Sequence, residues 1–110
     1  MDPISLNSLT AEHLELARQA PGGRSALTVY GGHARTLRQT LIVLTAGQHL
    51  DEHESPGEAT LQVLRGRVRL TAGTASSTDG AAGDLLAIPD TRHALEALED
   101  AAVLLTVAKI

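Results

Sequence analysis

Gly47-Gln48-His49-Leu50-Asp51-Glu52-His53-Glu54-Ser55-Pro56-Gly57-Glu58-Ala59-Thr60-Leu61-Gln62-Val63-Leu64-Arg65-Gly66 is the stretch on which the reading of the fold turns. In an extended segment His49, Asp51 and His53 share one side, because successive side chains alternate across a strand. After the turn signal Ser55-Pro56-Gly57, the residues Ala59, Leu61 and Val63 alternate with Thr60 and Gln62. That alternation predicts a strand whose apolar face turns inward, closed by Gly66.

The same period continues outward. Ala26 to Tyr30, Leu37 to Thr45, Thr60 to Leu64, Arg67 to Thr71, Leu85 to Ile88 and Val103 to Ala108 read as short strands. Gly31-Gly32, Ala46-Gly47, Gly73, Gly83 and Pro89-Asp90 punctuate them at intervals typical of sandwiches and small barrels. Segment 72–82, AGTASSTDGAA, is small and polar and reads as a loop or exposed hairpin. Only before the strands does the period change: Leu9, Leu14, Leu16 and Ala20 fall near helical spacing, Thr10 serves as N-cap, and Pro21-Gly22-Gly23 stops the segment. The expectation is an all-β chain with one short N-terminal α-helix at about 9–20 and a barrel over about 24–110. At 110 residues it has the size of one domain, 1–110. Thr40 to Leu44 and Val103 to Val107 are apolar on both faces, so the helix and a second subunit are expected to cover the outer one, which predicts a homodimer.

Composition excludes several functions. Tyr30 is the sole aromatic residue, which leaves no stacking platform for bases and no aromatic cage for cations. A net charge of −4 with nine dispersed basic residues argues against a nucleic-acid partner. The one basic concentration, Arg65, Arg67 and Arg69, has the period of a solvated strand face. Without cysteine there are no disulfides or thiolate metal sites, which fits a cytoplasmic location. No apolar run approaches eighteen residues, so no membrane span is expected.

The stretch 47–66 resembles the first motif of the cupin superfamily, with Gly47, His53 and Gly66 on the motif's spacing. Gly83-Asp84-Leu85-Leu86-Ala87-Ile88-Pro89-Asp90-Thr91-Arg92-His93 resembles the second, with Gly83, Pro89 and His93 matching. The resemblance implies a cupin-type, RmlC-like jelly-roll β-barrel, and in members that keep four ligands a divalent metal supporting oxygenase, isomerase or similar chemistry. Here Ser55 stands at the family's second histidine, Ala59 at its glutamate, and the second motif is one residue shorter.

Two imidazoles alone under-coordinate a metal, since catalytic zinc sites use three protein ligands. His49, with His53 and His93, would complete a three-nitrogen site for one divalent ion (Zn, Fe, Ni, Mn or Cu). Four residues along a strand span about 13 Å, so this requires a bend or bulge. Glu58 is opposite in phase to the interior. His13 and His33 read as solvated or interface residues. Three functions stay open: a small molecule bound at a pocket of His53, His93, Leu61, Val63, Ser55 and Ala59 with no metal; a divalent-metal-dependent enzyme; and a non-catalytic dimeric interaction module.

Overall fold

A computed structural model describes residues 1–53, 57–73 and 76–109, with Glu52 and His53 described by their backbone. Helix α1 spans Leu6–Gln19 and is followed by nine strands: β1 Arg24–Tyr30, β2 Leu37–Leu44, β3 His49–His53, β4 Glu58–Arg65, β5 Arg67–Ala72, β6 Ser76–Ala81, β7 Leu85–Ala87, β8 His93–Ala97 and β9 Ala101–Ala108. They form two antiparallel sheets, one of five strands in the order β1-β2-β9-β4-β7 and one of four in the order β3-β8-β5-β6. This is the all-β architecture with one helix that the periodicity predicts, and its two facing sheets are those of the jelly roll that the cupin resemblance implies.

Alternation builds the core. Along β4, Ala59, Leu61 and Val63 are buried while Glu58 and Gln62 are exposed, and along β8 His93, Leu95 and Ala97 turn inward. Between the sheets Leu44, Leu61, Val63, Val68, Leu70, Leu95 and Val103 form one cluster. The outer face of the five-stranded sheet holds a second, in which Leu14 and Ala17 of α1 pack on Leu41, Val43 and Ala102. The helix therefore covers part of the doubly apolar strands β2 and β9.

The helix begins earlier than its spacing suggests. Ser5 is the N-cap, its hydroxyl accepting from the Ser8 N–H at 3.2 Å, and Thr10 lies inside the helix, 7% exposed. Thr10, His13, Leu14 and Ala17 form the buried stripe at i, i+3, i+4 and i+7. His13, expected at a wet or interface position, is instead buried, with Nδ1 2.6 Å from the Ser25 hydroxyl.

Segment 72–82 resolves into β6, which pairs with β5 from Arg67↔Ala81 to Ala72↔Ser76. No apolar period marks it, because its buried position is Gly80: a Cβ there would stand 3.2 Å from Leu86 Cδ1 and 3.3 Å from Val63 Cγ2. Neighbouring strands supply the volume. The arginine run is divided by the Gly66 turn, with Arg65 ending β4 and Arg67 and Arg69 exposed on β5. Arg69 donates to both carboxylate oxygens of Asp79 at 2.7 and 3.0 Å, and register places Glu96 on its other flank. The four-stranded sheet thus has a charged, solvated outer face.

Asp100 ties three segments together: one carboxylate oxygen accepts from the Ala46 N–H at 2.8 Å, the other from Arg18 of α1 at 3.1 Å. The Ala46 N–H, then the Arg18 guanidinium, holds its carboxyl below the usual carboxylate range. A depressed folded pKa contributes stability that is present above the unfolded value and lost as pH falls through the folded one. Asp100→Asn should therefore cost about 1 kcal/mol at pH 7 and less at pH 3, read from urea denaturation at both. Equal losses at the two pH values would show that the charge contributes nothing.

Candidate functional site

Between the sheets lies a cavity of about 30 Å³, walled by seven aliphatic residues, Leu61 and Ile88 among them, and by His93. That volume holds about one water molecule. His93 is 5% exposed and its Nδ1 lies 2.9 Å from the Thr91 carbonyl oxygen. A carbonyl can only accept, so Nδ1 carries the proton and, in the neutral ring, Nε2 carries the lone pair. Two local features place the ring: β8 alternates inward at 93, 95 and 97, and the chain turns at Asp90–Thr91 just before it.

The histidines of the first motif separate. Strand β3 pairs His49↔Glu96 and Leu50↔Leu95, then shifts register so that His53↔His93. This bulge inserts one residue and breaks the period-two phase that would put His49, Asp51 and His53 on one side. His49 lies on the outer face, its Nε2 3.1 Å from Asp51 Oδ1, with side chains 62% and 90% exposed. The three-histidine metal site containing His49 is accordingly not formed. The backbone of His53 lies directly opposite His93, and Ser55 lies outside the described residues.

The other expected pocket residues divide as well. Leu61 lines the interior cavity. Ala59 is buried but borders a wider surface hollow of about 510 Å³, shared with Gly57, Thr60, Ile88 and Asp90. Val63 is fully buried in the same cluster as Leu61 and close to Gly80, but it is not one of the residues that line the cavity. Ile88, not among the expected residues, belongs to both the interior cavity and the hollow, so it stands between them. Its position beside the inward phase of the second motif is the signal that points to it. Glu58 is exposed on the hollow's rim, as its phase predicts.

Among the described residues no group of three or more His, Asp or Glu side chains converges as a metal site. With Ala59 at the expected acid position and His49 outside, the described donors do not fit the metal that the motifs imply. No helix among the described residues is long and apolar enough to cross a membrane.

No family model matches the chain, and no curated protein does. Solved structures do. A conserved protein of unknown function from Streptococcus pyogenes is 28% identical, with a TM-score of 0.72 over 83% of this chain and 78% of its own. An RmlC-like cupin protein from Desulfovibrio desulfuricans is 25% identical, with a TM-score of 0.68 over 77% and 81%. A cupin superfamily protein from Desulfitobacterium hafniense shares 18% identity but aligns over 99% of this chain and 92% of its own, at a TM-score of 0.77. With its two facing sheets and the motif residues at the strand ends, the chain is a small RmlC-like cupin-fold domain.

Proposed function

We propose that the protein binds a small, weakly polar molecule at the barrel mouth, with His93 as its polar contact and His53 beside it. The observation that carries this reading is the buried imidazole of His93, oriented by the Thr91 carbonyl and set in an otherwise aliphatic wall. Ligand sites are mostly apolar with few, fixed polar groups. The interior cavity alone is too small for such a ligand, so the molecule sits in the outer hollow and reaches inward past Ile88. Strand register, which sets the His53 backbone directly opposite that of His93, supports a shared role. The lack of cysteine supports a cytoplasmic setting.

Phenol and 1-butanol, each with a hydroxyl that can donate to Nε2, are suitable probes, titrated into the full chain while the ring nitrogens of its five histidines are followed by NMR. A saturable shift at His93, accompanied by the methyls of Leu61 and Ile88 and abolished in His93→Leu and His93→Gln, is expected. Shifts that never saturate, or that spread equally to the exposed His33, would sink the proposal.

A further inference from the structure

Strands β1 and β3 are edge strands of different sheets, and one side chain crosses between them: the Arg24 guanidinium donates from Nη1 to the His49 carbonyl oxygen at 3.1 Å. The start of β1 is fixed just before it, where the Gly23 carbonyl accepts from both the N–H and the hydroxyl of Thr45, at 2.9 and 3.0 Å. Register sets Arg24 and Ala26 opposite Leu44 and Ile42 of β2, which belong to the packing between the sheets. Arg24 and Ala26 therefore lie on the inner side of the five-stranded sheet, since opposed residues of an antiparallel pair share a face. Ser25 turns the other way, to His13.

Along this seam runs a hollow of about 290 Å³ lined by Arg24, Ser25, Ala26, Thr40, Ile42 and Leu50. Ile42 and Leu50 also wall the interior cavity, so the hollow is backed by the main apolar cluster. Arg24 is the one charged residue of the lining. Arg18 and Arg69 are paired with carboxylates, whereas among the described residues Arg24 meets none. The His49 carbonyl leaves most of its N–H groups unused, and the planar fork that remains matches a carboxylate.

We infer that the seam binds a short-chain monocarboxylate, its carboxylate on Arg24 and its alkyl tail over Ala26, Ile42 and Leu50. A phosphate or sulfate would leave the apolar floor bare, and a neutral molecule would leave the guanidinium unpaired. The volume lies just below the roughly 300 Å³ at which pockets for drug-sized ligands begin, which suits a chain of few carbons. The site is separate from the one at His93, where the Nε2 lone pair of the neutral ring takes a hydroxyl donor and not a carboxylate.

Butyrate, titrated into the full chain, tests this with the Arg24 Nε–H and the Ala26 methyl followed by NMR; neither residue lines the interior cavity. Both signals are expected to shift together and saturate, with butyrate bound roughly tenfold more tightly than acetate because its longer tail is covered. Arg24→Gln is expected to weaken butyrate at least about tenfold with unchanged circular dichroism, since Arg24 is exposed. Arg67→Gln, on the opposite sheet, is expected to leave binding unchanged. Acetate or inorganic phosphate binding as tightly as butyrate, an equal loss in Arg67→Gln, or butyrate binding that survives Arg24→Gln or never saturates would overturn the assignment. Binding of phenol or 1-butanol is read at His93, so the two sites stand or fall independently.

Discussion

Gly66→Ala is expected to lower stability by about 3 kcal/mol, while Gly47→Ala, at the other conserved-spacing glycine of the same motif, is expected to cost about 1 kcal/mol. Both glycines have positive φ, +78° and +85°, so each substitution incurs the left-handed penalty. They differ in what the added Cβ would meet. At Gly66 it would stand 2.1 Å from the Asp100 carbonyl oxygen and 3.0 Å from Ala101 Cα, whereas at Gly47 nothing lies within 4 Å. The atoms opposite Gly66 are backbone at the start of β9, the strand that pairs with both β2 and β4, so relief at Gly66 displaces the centre of the five-stranded sheet. Urea unfolding with unchanged slope would report the two losses. Equal losses would mean that the turn before β9 yields and that Gly66 matters for its φ alone.

These two glycines show what the sequence makes legible. Positive φ demands glycine, so turns announce themselves, and the period-two runs of β2, β4, β5 and β9 announce a sheet because both faces of those strands are packed or patterned. Strands whose inward positions are small or polar stay hidden. In β6 the inner row is Ser76, Thr78 and Gly80, with the volume supplied by Val63 and Leu86 from other strands. In β3 only Leu50 is apolar. The site was half legible for a related reason. His93 and Leu61 follow the simple alternation and arrive at the cavity. His49 obeys the same rule on paper, but a bulge between Leu50 and His53 shifts the register, and the pairing that creates it is a long-range property of β8. No local periodicity encodes it. The helix face was legible only in part: of the expected Leu9, Leu14, Leu16 and Ala20, Leu14 is buried but Leu16 is 48% exposed, and the buried stripe is Thr10, His13, Leu14 and Ala17, where two polar residues break the apolar signal.

Leu61→Ala is expected to cost about 3 kcal/mol and, in exchange, to enlarge the site beside His93 so that phenol binds more tightly than to the wild type. Removing three carbon atoms from the wall enlarges the cavity of about 30 Å³ into a void whose remaining lining is aliphatic apart from His93, and such voids stay dry and admit small apolar molecules. Leu41→Ala removes the same atoms from an equally buried position, but between the sheet and α1. It is expected to lose similar stability while phenol reports at His93 no more tightly than in the wild type. In Leu61→Ala the melting temperature should rise with phenol concentration, since at a hundred times the dissociation constant a ligand specific for the folded state restores about 2.7 kcal/mol. Benzene separates cavity from chemistry. If His93 is the polar contact, its Nε2 accepts from the phenol hydroxyl, phenol outcompetes benzene, and adding His93→Leu to Leu61→Ala erases the preference while leaving benzene bound. Equal binding of the two in Leu61→Ala would reduce His93 to a wall residue held by the Thr91 carbonyl. Binding of neither more tightly than to the wild type would show that the sheets close over the void left by Leu61.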